Sequence, residues 1–224
     1  MKKRLMAAVL STAMAATMLL TVSISVQAAD AAAANDPAVE LLFTSVSVSG
    51  DSHTEAMYEF ADKVEELSGG SVTCKCYDNG SLFSSENEFD ALLNGDADLA
   101  YISFPTIATQ IPSYSMFASA YLFSSYEHMT SVLNGDIGLN KIRPQIEEAL
   151  NIKPLSSFYL GSRVINTREK EINSYDDMNG LLLRMPNSEA WLFLGEALGA
   201  NPTPLSFSEL YTALQTGAVD AQDN

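Results

Sequence analysis

The stretch LLLRMPNSEAWLFLGEALGANPTPLSFSELYTALQTGAVDAQDN, residues 181–224, decides the fold. Leu181–Leu183 predicts a short buried strand, and Arg184 stands at its carboxyl end, where α/β sheets usually place their ligand sites. A proline then ends the strand, and either Asn187 or Ser188 serves as the N-cap of the next helix. Apolar residues at helical spacing follow until a glycine ends that helix.

The second half of this stretch predicts one more helix and one more strand. Asn201–Pro204 reads as a rigid connector because it contains two prolines. Ser206 or Ser208 then opens a helix that ends at Gly217, and Val219 begins a further short strand.

Taken in order, these elements resemble the signature of the substrate-binding proteins of tripartite ATP-independent periplasmic (TRAP) transporters. The matching motifs are Arg-x-Pro, Gly-Ala-x-Pro-Thr-Pro, Phe-Ser-Glu-Leu-Tyr, Ala-Leu-Gln-Thr-Gly and Val-Asp-x-Gln-x-Asn. Earlier in the chain, a helix that ends in Gly-Gly, then Asn-Gly-x-Leu and Gly-x-x-Asp-Leu-Ala extend the resemblance. One position departs from it, because Phe83 stands where the family commonly has glycine.

The N-terminus has the three-part layout of a secretory signal peptide. Lys2-Lys3-Arg4 precede an apolar run from Leu5 to Leu20, and a small-residue exit ends at Ala28. A membrane anchor is the alternative, but polar residues interrupt the run and it is barely long enough to span a bilayer. We therefore expect a leader at residues 1–28, cleaved near Ala28, and an exported, periplasmic mature chain with no direct membrane insertion.

The remaining chain divides, by pattern and resemblance, into a flexible lead and two α/β domains. The lead is predicted at residues 29–40, the first domain at 41–160 and the second domain at 161–224. The resemblance implies a two-domain periplasmic-binding-protein-like α/β fold with a ligand cleft between the domains. It also implies that the second domain is incomplete at Asn224 and that the sequence is a fragment.

Within the first domain, turn-forming residues and the periodicity of apolar residues predict alternating strands and helices. A strand over Leu41–Phe43 leads into a helix from His53 to Ser68, and a second strand carries Cys74 and Cys76. Two further helices are predicted at Tyr126–Asn134 and Leu139–Leu150. The remaining predictions are a helix with a capping box over Ser85–Glu88, a strand over Asp98–Phe104, an aromatic loop over Pro105–Leu122 and a strand over Lys153–Tyr159.

Acidic residues dominate the composition. The chain has 28 Asp and Glu against 12 Lys and Arg, and removal of Lys2, Lys3 and Arg4 with the leader leaves 9 basic residues, a net charge of about −19. Such a surface repels nucleic acid and anionic membranes, so neither is expected as a partner. A few local cations must capture any anionic ligand, which makes each arginine in a cleft informative.

Few residues suit metal binding or catalysis. Cys74 and Cys76 are the two cysteines, and core packing is the favoured interpretation, with metal or redox roles as the alternative. The chain has two histidines in all, His53 and His128, so few residues are available as zinc ligands. No Gly-x-Ser-x-Gly elbow or Gly-rich phosphate loop is present, so we expect no enzyme, no metal site and no cofactor.

Arg184 and Arg163 are the candidate carboxylate-binding residues. A guanidinium presents a planar fork that matches a carboxylate. The pattern alone leaves open whether Arg184 clamps a ligand or forms a structural salt bridge, and the resemblance implies the ligand clamp. Arg163, in the segment that resembles the crossover between domains, is the second candidate donor, with a structural ion pair as the alternative.

Four further residues are candidate ligand contacts. The resemblance implies that Asn224 donates an amide to the ligand, although a terminal residue is expected to fray. Phe207 either stacks on the ligand or packs in the core, and Asn187 either contacts the ligand or only caps a helix. The resemblance implies that Ser103, at a predicted strand end, contributes to the ligand site. Some members of the resembled family have an acidic residue near this position, so the neutral Ser103 argues against a sialic-acid-like ligand and favours small organic acids.

The function implied by the resemblance is that of an extracytoplasmic receptor. It captures a small organic acid and delivers it to the membrane permease subunits of a TRAP transporter. Two alternatives remain open: the binding protein of an ATP-driven importer, and a secreted α/β enzyme acting on carboxylates.

Overall fold

The computed structural model describes residues 38–224, which contain seven strands and seven α-helices. The predicted leader, 1–28, and most of the predicted lead lie outside these residues. By their contacts the described residues form two compact units. One takes residues up to Leu41 together with Glu59–Lys75, and the other takes Leu42–Tyr58 with Cys76–Asn224. The predicted domain boundary at residues 160 and 161 stays a prediction.

Three strands form the first sheet in the order β2-β1-β3, and β1 runs parallel to β3. Strand β1 begins at Val39, inside the segment predicted as the lead. The residue ranges are β1 Val39–Thr44, α1 Ser52–Ser68, β2 Val72–Tyr77, α2 Glu88–Asn94, β3 Leu99–Ala100 and α3 Phe104–Ile107. The predicted strand-helix-strand-helix-strand order of this part is confirmed.

Several predicted boundaries in the first part are wrong. Asn87 occupies the N-cap of α2, so Ser85 forms no capping box. The strand predicted over Asp98–Phe104 is confined to β3, since Pro105 occupies the first turn of α3. Lys153–Tyr159 forms no strand. In the predicted aromatic loop, a 3-10 turn at Pro112–Ala118 buries Tyr114 against Phe89, Ile107 and Ile146.

The second sheet carries the stretch quoted above and has the strand order β4-β7-β5-β6. Strands β5, β6 and β7 run parallel, and β4 pairs antiparallel with β7. The ranges, from the middle of the chain onward, are α4 Tyr126–Leu133, a π-helical turn Gly138–Ile142, α5 Arg143–Leu150, β4 Ile165–Thr167, a 3-10 turn Tyr175–Met178, β5 Leu182–Met185, α6 Glu189–Ala197, β6 Asn201–Pro204, a 3-10 turn Phe207–Glu209, α7 Leu210–Thr216 and β7 Ala221–Asp223.

Asn201–Pro204 is strand β6 and not the predicted connector. It pairs in register with β5 at the edge of the sheet. Proline is tolerated in an edge strand because the side that lacks a partner needs no N–H donor. The two prolines that suggest a connector are therefore compatible with a strand in this position.

The two faces of β5 separate the core from the candidate site. Leu183 and Met185 are fully buried on one face, where they pack with Trp191 of α6. Arg184 lies between them in sequence, so its side chain projects from the opposite face. Right-handed crossovers place α6 on the core face and α7 on the face of Arg184.

Candidate functional site

Arg184 lies inside strand β5, at the carboxyl end of the second sheet. It pairs in register with Thr203 of β6 and Gln222 of β7. Both neighbouring strands run parallel to β5, so the three side chains lie in one row across the same face. The sequence-based prediction placed Arg184 at the end of the strand, and the strand continues one residue further, to Met185.

The guanidinium of Arg184 is buried and has few protein partners. The residue is 3% exposed. Its Nε donates to the carbonyl oxygen of Leu205 at 2.9 Å, whereas Nη1 and Nη2 form no hydrogen bond with any residue in the described range 38–224. No carboxylate in that range lies within ion-pair distance of Arg184. A buried cation in this state is costly unless an anion joins it.

The charges around Arg184 compensate its positive charge only in part. Burial lowers the pKa of the Arg184 guanidinium to about 10, and the positive charge of Arg163 acts in the same direction. The carboxylates of Glu86 and Asp223 oppose this shift. Arg184 remains charged at neutral pH, and a bound carboxylate would stabilise the charged form.

Arg163 is held by an ion pair and an aromatic ring. Its Nε donates to Oδ2 of Asp223 at 3.0 Å, and Nη2 donates to the carbonyl oxygen of the same residue at 2.6 Å. The guanidinium carbon lies 4.3 Å from the ring centre of Trp191. The structural ion pair is thus present, and a ligand contact from the remaining donor, Nη1, stays a prediction.

The backbone next to Arg163 joins the second sheet. Strand β4 starts at Ile165, two residues after Arg163, and the Val164 side chain between them is 55% exposed. The backbone of Val164 nevertheless bonds to Asn224 in both directions, at 2.9 and 3.1 Å. These bonds extend the β4–β7 ladder by one pair and hold Asn224, so the expected fraying of Asn224 is wrong.

Phe207 lies near Arg184, and Asn224 lies near Arg163. The ring centre of Phe207, which is half-buried, lies 5.8 Å from the guanidinium carbon of Arg184. Asn224 is exposed and adjoins Asp223, the partner of Arg163. Ligand contacts from both residues stay predictions, and the geometry places both beside the candidate site.

Asn187 and Ser103 form no hydrogen bond with Arg184 or Arg163 in the part of the chain that the structure describes. Ser188, and not Asn187, is the N-cap of α6, because its side chain accepts from the backbone N–H of Trp191. Capping by Asn187 is therefore wrong, and its ligand contact stays a prediction. Ser103 occupies the N-cap position of α3, with Oγ 2.8 Å from Oγ1 of Thr106, and not a strand end.

Four residues of the site were not predicted from the sequence. Asp223, Trp191 and Leu205 hold the arginines, and Gln222 adjoins Arg184 in the sheet. Strand periodicity alone places Gln222 and Asn224 on one face and Asp223 on the other. The ion pair between Asp223 and Arg163 spans 60 positions, and no local pattern in the sequence indicates it.

Other kinds of site find no support within residues 38–224. No group of three or more histidine, cysteine, aspartate or glutamate side chains is arranged there to hold a metal ion. None of the helices in this range is long and apolar enough to span a membrane. A surface cleft of about 270 Å³ lies at the amino-terminal ends of β5 and β7, opposite the strand ends that carry Arg184, and is lined by Arg168, Glu169, Lys170, Asn179, Gly180, Leu181 and Asp220.

Residues 43–224 match the family described as bacterial extracellular solute-binding protein, family 7 (DctP). The chain belongs to this DctP family. Members of the family are binding proteins for solutes. The resemblance to TRAP solute receptors predicted from the motifs is thereby confirmed.

Among curated relatives, the sialic acid-binding periplasmic protein SiaP of Vibrio cholerae is 31% identical over 203 residues. That alignment covers 91% of this chain and 63% of the Vibrio protein. The DctP-family chain described here therefore spans less than two thirds of the length of this relative.

Two solved structures carry the same fold. A TRAP periplasmic solute-binding protein of Roseobacter denitrificans with bound 3-deoxy-D-manno-oct-2-ulosonic acid is 38% identical, with a TM-score of 0.77 over 84% of this chain and 61% of that one. The sugar acid binding protein DctPAm of Advenella mimigardefordensis in complex with galactonate is 31% identical, with a TM-score of 0.78 over 84% of this chain and 60% of that one. The predicted α/β periplasmic-binding-protein-like fold is confirmed.

Proposed function

We propose that this protein is an extracytoplasmic receptor that binds a small organic acid through its carboxylate and delivers it to a TRAP transporter permease. The observation that carries the proposal is Arg184. Its buried guanidinium keeps both Nη groups without a hydrogen bond to residues 38–224, at the carboxyl ends of the parallel strands β5, β6 and β7. Such an end is where α/β proteins bind their ligands.

The carboxylate lies against the Nη groups of Arg184 in a charge-assisted pair. Arg163 supplies a second positive charge close by, and Asp223 and Trp191 fix its position. Phe207 packs against the carbon skeleton of the ligand, and the amide of Asn224 donates to one of its oxygens. Asn187 and Ser103 complete the set of proposed contacts.

Relatives support an acidic ligand. The names of the Vibrio protein and of the two solved structures mention sialic acid, 3-deoxy-D-manno-oct-2-ulosonic acid and galactonate, and each of these compounds carries a carboxylate. The family supports a periplasmic location and a role in binding without catalysis. The pattern of residues 1–28 supports a leader cleaved near Ala28.

A thermal-shift screen of the full-length protein tests the proposal. The panel contains D-galactonate, 3-deoxy-D-manno-oct-2-ulosonic acid, sialic acid, D-glucuronate, L-malate and succinate, each paired with its uncharged amide or alcohol. At least one acid should raise the melting temperature while its uncharged counterpart does not, because a ligand stabilises the state that it binds. Equal shifts with both members of every pair, or no shift at all, would contradict the proposal.

Transport assays separate the two remaining classes of function. In vesicles that contain the cognate permease subunits, uptake of the acid should require this protein and proceed without ATP. A requirement for ATP would place the protein with an ATP-driven importer. Chemical change of the acid during incubation with the protein alone would make it an enzyme.

A further inference from the structure

Gln222 presents a buried hydrogen-bond acceptor beside Arg184. Its Oε1 is enclosed and has no hydrogen-bond partner among residues 38–224. Most buried side-chain acceptors in proteins are paired. An unpaired acceptor in a binding protein therefore indicates a position for a hydrogen-bond donor of the ligand. Leaving such an acceptor unpaired costs free energy that a suitable ligand would recover.

The register of the sheet puts Gln222 and Arg184 side by side. They are direct partners of the parallel strands β7 and β5, so both side chains project from the same face. Neighbouring strands lie about 4.8 Å apart in a sheet. One small ligand can therefore touch both side chains at once.

Arg184 and Gln222 can bind two different groups of one ligand. The Nη groups of Arg184 are donors that lack an acceptor, and Oε1 of Gln222 is an acceptor that lacks a donor. A carboxylate satisfies the first residue. A hydroxyl or an ammonium group, one or two carbon atoms from that carboxylate, would satisfy the second.

Charge distinguishes these two donors. Two guanidinium groups, those of Arg184 and Arg163, lie near enough for the charge of one to affect the pKa of the other. Asp223 offsets the charge of Arg163, but no carboxylate of residues 38–224 lies within ion-pair distance of Arg184. An ammonium group placed at Gln222 would be repelled by the adjacent Arg184, whereas a neutral hydroxyl carries no such penalty.

We infer that Gln222 is a specificity-determining residue that accepts a hydrogen bond from a hydroxyl at C2 of the bound acid. The receptor thus selects 2-hydroxy acids over the corresponding deoxy acids and amino acids. This inference rests on the proposed function, since it requires a carboxylate at Arg184.

The test is calorimetric titration of the full-length protein with matched acids. One set is D-galactonate with its 2-deoxy and 2-amino-2-deoxy analogues, and the other is L-malate with succinate and L-aspartate. Within the set that binds, the wild-type protein should lose about tenfold or more in affinity when the hydroxyl is removed or replaced by an amine, because a buried acceptor is then left unpaired.

Gln222→Met has a similar volume and no acceptor. It should bind the deoxy acid about as well as the wild-type protein does, and the discrimination between hydroxy and deoxy acids should fall to within about twofold. Asn166→Met is the matched control, because Asn166 is in register with Gln222 on β4 but exposed. It should keep the wild-type discrimination.

Two results would overturn the inference while leaving the proposed function intact. One is equal affinity of the wild-type protein for hydroxy and deoxy acids. The other is an equal loss of affinity for both acids in Gln222→Met, which would mean that the amide donates to the carboxylate. If no acid in either set or in the wider panel binds the wild-type protein, the proposed function itself fails.

Discussion

The Nε of Arg184 donates to the carbonyl oxygen of Leu205 at 2.9 Å, and this is the one hydrogen bond that the Arg184 side chain forms with the described residues 38–224. A guanidinium has five N–H donors, so most of its capacity is unused in a residue that is 3% exposed. Arg143 differs in the number of its bonds, although its Nε is buried and unpaired within residues 38–224. Arg143 donates to Leu155 and Asn134 from two nitrogens and ties together three segments of chain.

This difference predicts opposite effects on stability. Arg184→Met should leave the free energy of unfolding of the ligand-free protein unchanged or raise it, because an uncompensated buried charge is removed. Arg143→Met is the control and should lower it by about 1–3 kcal/mol, since it removes the two hydrogen bonds of a charged donor to Asn134 and Leu155. Urea unfolding without ligand measures both variants. A larger loss for Arg184→Met than for Arg143→Met would show that Arg184 is a structural residue.

The ion pair between Arg163 and Asp223 should be coupled in a double-mutant cycle. Arg163→Met and Asp223→Asn each remove the charge-assisted bond between the two side chains. The Asp223 side chain is buried, whereas the Arg163 side chain is partly exposed. We expect a coupling energy of about 1 kcal/mol, reduced from the value of a fully buried pair by solvent screening around Arg163. Additive effects of the two substitutions on urea unfolding would mean that the pair does not hold Arg163.

Glu88 makes stability depend on pH. Burial raises the pKa of the Glu88 carboxyl to about 7, although the nearby Thr44 hydroxyl opposes the shift. Because this folded-state pKa lies above the ordinary value of about 4.3, the folded protein binds more protons than the unfolded chain between these pH values. The contribution of Glu88 to stability therefore falls as pH rises from about 4.5 to 7, by on the order of 3 kcal/mol.

Glu88→Gln should remove this contribution. The difference in free energy of unfolding between the variant and the wild-type protein should grow in favour of the variant from pH 5 to pH 7.5. Asp90→Asn, an exposed position on the same helix, is the control and should produce no comparable trend. A flat difference for Glu88→Gln across this range would rule out a buried, titrating Glu88.

Gly195 allows α6 to approach the second sheet closely. A Cβ atom at this position would lie 2.8 Å from Cβ of Pro202 and 3.1 Å from Cγ of Met185. Gly195→Ala should therefore lower the melting temperature, with a loss of about 1–3 kcal/mol from overpacking, although alanine favours helix. Glu196→Ala, exposed on the next position, should be close to neutral. A stabilised Gly195→Ala variant would contradict the close packing of α6.

Much of the second sheet was predictable because its signals are local. The apolar run before Arg184, and the helix and the glycine that follow it, depend on residues close together in the chain. The strand β6 was missed because two prolines mimic a connector unless the edge position of the strand is known.

The candidate site was predictable only in part. Strand position and residue type indicated Arg184, and the resemblance to a family indicated Arg163, Phe207 and Asn224. The roles of Asp223, Trp191 and Gln222 depend on strand pairing between distant segments, which the order of residues does not specify. The sequence could therefore identify the two arginines of the site, but not the residues that bond to them or lie beside them.

The central claim, that Arg184 binds the carboxylate of the ligand, is tested most directly by isothermal titration calorimetry of Arg184→Ala with the acids that bind the wild-type protein in the panel above. Circular dichroism should first establish that the ligand-free variant remains folded. We predict a loss of affinity of about 100-fold or more, because truncating one partner of a buried charge pair typically costs 2–5 kcal/mol. An unchanged affinity for every acid that binds the wild-type protein would contradict the account.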